Sequence, residues 1–463
     1  MLSAIRDVVE NTPAKIAYQV KDERITFGEL WELANIYADL LIRQGTSPVI
    51  IYGHKEIYVI VTILACIIAK RTYVPIDIGM PLPRVERCAA ESKAGLIITE
   101  RNINIDNVLS CDLNYLKNFK DNPKNLINND TAYIIFTSGS SGEPKGVAIS
   151  YDNLNNFISW ICSLKPLKDY KDINVLNQAC FSFDLSVADL YYSLVNGHTL
   201  IALEDADNYE EIFKTLADVN VAVMTPTFIK LCLLDPLFNR DNYHKLKCVY
   251  FCGEQLEVKT VIKLFRAFPD LNVINAYGPS EATSAVSAVN ITKDMLRSKL
   301  LPVGDMGNLA SDIQIIDGEI VIKGKSVFRG YLGNIAGGHY KENNVDCYRT
   351  GDIGYIEDNR LYCVGRGDRQ IKYKGYRIEL DDIEYHINQI PYVKECCVIA
   401  KYSDDCIVKA IKAFVVLEKD AKADGIKDEL AKKIPRYMIP KTIEVLDRLP
   451  VNQNGKIDRK ALS

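Results

Sequence analysis

From residue 131 to about 290, short apolar runs alternate with stretches of helical spacing. The runs are AYIIF, NVLNQA, TLIAL, VAVMT, CVYFC and NVINA. Strands that alternate with helices pack best as a parallel sheet covered by helices on both faces. The flanking texture differs. Before residue 130 the chain reads as mixed α/β. Thr26 and Glu29 are spaced as a capping box, and Leu30, Leu33, Tyr37 and Leu41 follow at helical spacing. Between 301 and 365 the runs IQIID, EIVIKG and LYCVG are short and separated by turns, which predicts antiparallel β. Beyond Asp368, KYKGYRIEL reads as a strand, Ile383, Ile387 and Ile390 mark a helix face, and CCVIA and AIKAFVVLE are strand-like. IKDELAKKI reads as a helix, and the tail has the size of a small α+β domain.

The 463 residues amount to about three structural units at roughly 150 residues each. With 56 Lys+Arg against 60 Asp+Glu the formal charge is -4, which argues against nucleic acid as the main partner. The start MLSAIRDVVENTP has no apolar core of a signal peptide. The greasiest stretch, Ile57 to Ala69, is shorter than the ~17–25 residues of a membrane span and is expected to be a buried helix. Thirteen cysteines, an odd number with no C-x-x-C and no zinc-finger spacing, and five scattered histidines predict reduced, mostly buried thiols in a cytoplasmic protein. The pair Cys396-Cys397 is expected half in and half out on a strand.

The chemically loaded stretch is Thr137-Ser138-Gly139-Ser140-Ser141-Gly142-Glu143-Pro144-Lys145-Gly146. It follows an apolar run and offers backbone N–H groups and hydroxyls to a polyphosphate. Its spacing is not that of the Walker A loop, which disfavours a P-loop kinase. Alone, such a loop is also compatible with a surface turn. Asp184 stands in the otherwise apolar Phe183-Asp184-Leu185, where a carboxylate is costly unless paired; the plain alternative is a helix cap.

The ordered set TSGSSGEPKG, FSFDLSVADL, NAYGPSEAT, EIVIKGKSVFRGYLG, YRTGDIG, GRGDRQIKYKGYRIEL and NQNGKIDR resembles the adenylate-forming enzymes over nearly the whole chain. These include acyl- and aryl-CoA synthetases, nonribosomal peptide adenylation domains and luciferases. The amino-acid-activating branch fits best. The resemblance implies an α/β fold: a large N-terminal domain of parallel-sheet subdomains with a small β-barrel-like part over 1–367, and a small mobile α+β domain over 369–463, hinged at Asp368. It also implies two half-reactions. A carboxylate attacks the α-phosphate of ATP, and the acyl-adenylate then passes to a phosphopantetheine thiol.

Carried over residue by residue, Asp184 pairs with the substrate ammonium. Thr137, Ser138 and Lys145 belong to the phosphate loop. Asn275, Ala276, Tyr277, Gly278, Pro279 and Ser280 hold the adenine and α-phosphate, and Glu281 binds Mg²⁺. Ser280 stands where the family usually has Thr. Asp352 holds the ribose, and Cys363, Val364, Gly365 and Arg366 make a second ribose or phosphate contact. Gly375 lets the backbone approach the thiol tunnel, and Lys456 is the catalytic lysine, touching both substrates.

By the same register the side-chain pocket is lined by Leu185, Ala188, Val223, Tyr250, Cys252, Ala276, Ser284 and Ala285. None can pair with a charged side chain, so a small amino acid is expected, D-alanine first. Ala188 and Ser284 depart from the usual Met and Val and enlarge the pocket, so Ser, 2-aminobutyrate or L-Ala is the alternative. The carrier protein is expected to be a separate chain, the enzyme a monomer, and membrane insertion absent. The loop between Asp312 and Lys323 reads as a trimmed hairpin. A CoA ligase for a plain acid is disfavoured by Asp184, and a non-catalytic nucleotide-binding scaffold by the presence of Lys456 and Glu281.

Overall fold

A computed structural model describes residues 1–101, 103, 105, 108–111, 130–138, 144–334, 337–403, 407–418, 423–450, 457–459 and 461–462. Two compact units result. The first comprises Met1–Ile78, Ala89–Ile135 and Gly146–Gly365; the second comprises Gly79–Cys88, Phe136–Lys145 and Arg366–Ser463.

Local signals act where the residues place them. The Thr26 hydroxyl accepts from the Glu29 amide at 3.2 Å, and the Thr26 amide donates to Glu29 Oε2 at 2.9 Å. This reciprocal cap starts the helix Phe27–Arg43, which buries Leu30, Ala34, Tyr37 and Leu41. The apolar stretch after Glu56 is the helix Ile57–Ile68, buried from Tyr58 to Ile67. At 1.5 Å per residue it spans about 18 Å. Among the described residues no helix is long and apolar enough to cross a membrane.

The first unit is built on three sheets. One carries the strands β3 (Val49–Tyr52), β4 (Tyr73–Ile76), β5 (Leu96–Ile98), β6 (Leu109–Cys111), β7 (Thr131–Thr137) and β8 (Lys145–Ser150), in the order β6-β5-β3-β4-β7-β8. The second carries β1 (Ile16–Val20), β2 (Glu23–Thr26), β9 (Asn174–Asn177), β10 (Thr199–Ala202), β11 (Val221–Met224), β12 (Cys248–Phe251), β13 (Asn272–Tyr277) and β14 (Ser287–Asn290), in the order β14-β13-β12-β11-β9-β10-β1-β2. Its inner pairs are parallel and its two outermost pairs antiparallel. One correction follows. The run AYIIF does not join the five strand runs after it, because β7 lies beside β4 in the other sheet. Alternation reports that a strand is covered on both faces, not which sheet it joins.

The third sheet is antiparallel, as the turn-rich stretch predicts. It holds β15 (Gly304–Asp305), β16 (Asp312–Ile316), β17 (Glu319–Lys323), β18 (His339–Glu342), β19 (Val345–Glu357) and β20 (Arg360–Arg366). β16 and β17 form the short hairpin expected there, closed by Asp317 and Gly318, both at positive φ.

In the second unit KYKGYRIEL is not one strand but a hairpin. β21 (Gln370–Tyr373) and β22 (Tyr376–Glu379) pair antiparallel across Lys374 (φ 53) and Gly375 (φ 82). Positive φ at both central residues matches the right-handed twist of the strands and suits glycine. A second sheet joins β23 (Val393–Tyr402), β24 (Val408–Leu417) and β25 (Thr442–Val445). Ile383 and Ile387 of the helix Leu380–Asn388 cover one face of it, together with Ile426 and Leu430 of Ile426–Ala431. Leu449 and Leu462 cover the other. Cys396 and Cys397 therefore alternate faces as expected, yet both are buried, a second correction. The described cysteines are free thiols. Arg84, itself buried, reaches the fully buried Asp382 carboxylate at 3.3 Å in this unit.

Candidate functional site

The residues expected to line the amino-acid pocket come together at the carboxyl ends of β11, β12 and β13 and at the start of the helix Leu185–Asn196. Val223 and Tyr250 are register partners on neighbouring strands, so their side chains share a face. Leu185, Ala188, Val223, Tyr250, Cys252, Ala276 and Ala285 all lie in one buried cluster. Ser284 is buried too, and its carbonyl lies 3.8 Å from the Cys252 sulfur. Thr283 and Ser284 both hold positive φ (61 and 67), a conformation that costs a non-glycine residue about 1–3 kcal/mol. The Thr283 hydroxyl, donating to the Ser326 carbonyl at 2.8 Å, holds that turn in place.

Asp184 occupies the N-cap position of Leu185–Asn196, but its side chain makes no capping hydrogen bond. The plain reading of this carboxylate as a cap therefore fails. It acts instead on Tyr133 and Tyr250. Burial pushes both phenols well above the usual tyrosine range, and the Asp184 charge adds to the shift. Both hydroxyls are buried without a hydrogen-bond partner. A buried, unsatisfied hydroxyl costs roughly 1–3 kcal/mol. A carboxylate whose charge is felt by two such oxygens offers, with them, acceptors to the three donors of an ammonium group.

The residues expected to hold adenosine fall on or just after β13 and on β19. Asn275 is buried and its amide donates to the Pro302 carbonyl at 2.8 Å. The Tyr277 hydroxyl donates to Asp352 Oδ2 at 2.6 Å, joining the residue expected at adenine to the one expected at ribose. Both are buried, and Asp352 is not on a surface turn. A Cβ on Gly278 would stand 2.5 Å from Ala285 Cα and 2.9 Å from the Ser284 carbonyl, so only glycine fits. Pro279 and Ser280 follow, with Ser280 opening a short 3₁₀ turn. Glu281, in that turn, is fully buried, and the Tyr331 hydroxyl donates to its Oε1 at 2.5 Å. A dry carboxylate is a hard oxygen donor of the kind Mg²⁺ takes beside phosphates.

Cys363, Val364, Gly365 and Arg366 end β20, with Val364 exposed. Arg366 and Asp368, the expected ribose contact and hinge, form a two-pronged pair at 2.7 and 2.6 Å. Burial works against the Asp368 charge, but the guanidinium prevails and holds the carboxyl below its usual range. Thr137 ends β7 and Lys145 begins β8. The Ser138 hydroxyl donates to the Arg377 carbonyl at 2.9 Å and accepts from the Glu379 amide at 3.0 Å, which ties this end of the phosphate loop to β22. Residues 139–143 and Lys456 lie outside the described residues.

Sequence reasoning missed three groups. Tyr133 sits inside AYIIF, where it reads as one more apolar strand residue. Tyr331 follows the FRG motif but carries no spacing that points to Glu281, fifty positions away. The third group is the buried set Lys55, Asn177 and Asp189. The Lys55 ammonium bonds to Asn177 Oδ1 and the Ala179 carbonyl, and the Asn177 amide donates to both Asp189 oxygens at 3.0 and 3.1 Å. Burial raises the Asp189 pKa and lowers that of Lys55. The set anchors the β9 end and the helix that begins beside Asp184.

Residues 5–332 match the model of the AMP-binding enzyme family, and 382–456 match the AMP-binding enzyme C-terminal domain. A D-alanine–D-alanyl carrier protein ligase of Bacillus licheniformis is 37% identical, with 100% of this chain and 98% of that protein aligned. The Staphylococcus epidermidis protein of the same name is 36% identical over 100% and 98% of the two chains. Among solved structures, a Vibrio cholerae adenylation domain in complex with glycyl-adenosine-5'-phosphate superposes with a TM-score of 0.86. It is 23% identical and covers 100% of this chain and 96% of its own.

Proposed function

Since the chain belongs to the AMP-binding enzyme family, we propose that it activates D-alanine with ATP and transfers the aminoacyl group to the phosphopantetheine thiol of a carrier protein. The substrate carboxylate attacks the α-phosphate and pyrophosphate leaves; the thiol then attacks the adenylate's carbonyl carbon, the thioester forms and AMP leaves. Asp184 carries this reading, a carboxylate that leaves its helix uncapped and whose charge is felt by two unpartnered phenols. It supports a substrate with an α-ammonium and speaks against a plain carboxylic acid. The buried, small-residue wall of Ala188, Cys252, Ala276 and Ala285 supports a short side chain.

Each group has a physical task. Asp184, Tyr133 and Tyr250 orient the ammonium and so aim the carboxylate. Asn275, Tyr277 and Asp352 hold the adenosine; the Tyr277–Asp352 hydrogen bond fixes the carboxylate before ATP arrives, which supports a preorganised ribose site. Glu281 is the residue we assign to Mg²⁺, which supplies neutralisation of phosphate charge when bound. Lys456 stabilises charge developing at the α-phosphate. Free thiols throughout the described residues suit a cytoplasmic enzyme.

ATP–pyrophosphate exchange across D-Ala, L-Ala, Gly, D-Ser, L-Ser, 2-aminobutyrate and propionate tests the assignment. D-alanine is expected to lead and propionate to give no exchange. A tenfold preference for another amino acid would move the enzyme to a different small substrate, an outcome that Ser284 and Ala188 favour over any charged one. The Asp184→Asn variant is expected to lose at least ~10²-fold in kcat/KM for the amino acid, with the KM for ATP nearly unchanged, because the ammonium loses its partly buried counter-charge.

A further inference from the structure

We propose that His54, Asp77 and Cys180 form a binding site for a borderline divalent cation, Zn²⁺ before others. None of the three is assigned to either substrate. His54 follows β3, Asp77 follows β4 and Cys180 follows β9, so two parallel strands of one sheet and one strand of the other deliver them from their carboxyl ends. One imidazole nitrogen, one carboxylate oxygen and the sulfur all lie within 4.8 Å of one another. His54 Nδ1 is 2.5 Å from Asp77 Oδ2, and Nε2 is 2.8 Å from the Glu204 carbonyl.

The second contact decides the tautomer. A carbonyl can only accept, so Nε2 carries a proton, and Nδ1 is the nitrogen that faces Asp77 and becomes the ligand once the proton between them leaves. A histidine whose far nitrogen is pinned to a backbone carbonyl is oriented as metal-bound histidines are. Nitrogen, sulfur and oxygen together suit zinc, with three protein ligands and a water in the fourth position. Magnesium, which takes hard oxygen ligands, does not suit an imidazole and a thiolate.

A proton now bridges Nδ1 and the carboxylate. Zinc would replace it and would hold the ligand atoms roughly 3.3–3.7 Å apart, so Asp77 withdraws by about 1 Å. The bridging proton and the thiol proton leave on binding. His54 and Asp77 are each about one-fifth exposed, which gives the ion a way in. The Lys55 ammonium on the Ala179 carbonyl stands beside the site and opposes a second cation, so the ion exchanges and is not structural.

Occupancy has a consequence for the neighbouring pocket. The Phe183 amide donates to the Cys180 carbonyl at 2.9 Å, and Asp184 follows directly. A metal on the Cys180 sulfur clamps this turn, which shifts the KM for the amino acid and leaves that for ATP alone. Metal binding itself does not depend on the identity of the substrate.

The experiment titrates the chelator-stripped full chain with Co²⁺. One equivalent is expected to bind, with tetrahedral d–d bands and a sulfur-to-cobalt charge-transfer band that Zn²⁺ abolishes and excess Mg²⁺ does not. Cys180→Ser should lose the charge-transfer band, and His54→Gln should weaken binding at least ~10-fold. Cys162→Ser, a change at the partly exposed thiol bonded to the Asn196 amide, should retain both. Absence of the band from the unaltered chain, or its survival in Cys180→Ser, overturns the proposal, whatever amino acid the enzyme activates.

Discussion

Single side chains divide into those that meet a substrate and those that wait for one. Tyr133 and Tyr250 are of the second kind, since each buries a hydroxyl with nothing to bond. Tyr133→Phe removes that unsatisfied oxygen, so the free protein is expected to hold or gain stability. The same change costs the bound ammonium a charge-assisted hydrogen bond of ~1.5–3 kcal/mol, which raises the amino-acid KM about tenfold or more. Thermal denaturation and exchange kinetics on one preparation check both signs. Lys456→Ala is expected to lose ~10²-fold or more in pyrophosphate exchange, as when one preorganised donor is removed from a developing charge. Near-normal exchange would free Lys456 from that role. These two residues also show why legibility differs. Lys456 is announced by its contiguous neighbours in NQNGKIDR. Tyr133 depends on Asp184 and Tyr250, 51 and 117 positions on, and nothing local marks it.

Elements are held in place by polar groups that hydrophobic patterning does not display. Lys55, Asn177 and Asp189 join β9 to the helix Leu185–Asn196 through a fully buried chain of bonds. Lys55→Met strands the Asp189 side of that chain. We expect a loss of about 3–5 kcal/mol in denaturant unfolding, the scale seen when one partner of a buried charged set is removed. The double change Lys55→Met with Asp189→Leu should recover much of it, because no buried charge is then left over. Recovery distinguishes the network from simple packing. Strand existence was readable in the same region, and strand company was not. AYIIF, TLIAL and VAVMT share a pattern, yet β7 pairs with β4 while β10 and β11 flank β9. The split of KYKGYRIEL into a hairpin was visible in principle, since Lys-Gly can supply two positive φ values between alternating strand residues.

Across the whole molecule, one buried histidine makes stability depend on acidity. His198 follows the left-handed Gly197 that ends the helix Leu185–Asn196, with its amide on the Ser193 carbonyl. Its ring packs on Tyr192, with ring centroids 5.1 Å apart, and neither ring nitrogen has a partner. Burial, helped by Lys15 and Lys171, pulls its pKa down from 6.5 to about 4. Below pH 6.5 the unfolded chain takes up a proton that the folded chain refuses, so stability falls as the pH drops from about 6.5 to about 4. The full shift is worth up to ~3 kcal/mol. Denaturant midpoints between pH 7 and 4 should show that slope, and His198→Leu should flatten it. The two-sided burial of the C-terminal sheet has another use. Because Cys396 and Cys397 are sealed on opposite faces, a bulky alkylating dye can reach the adjacent pair only when that sheet opens. Mass-resolved tagging of this dipeptide would therefore act as a clock for local opening of the C-terminal segment, read without any engineered probe.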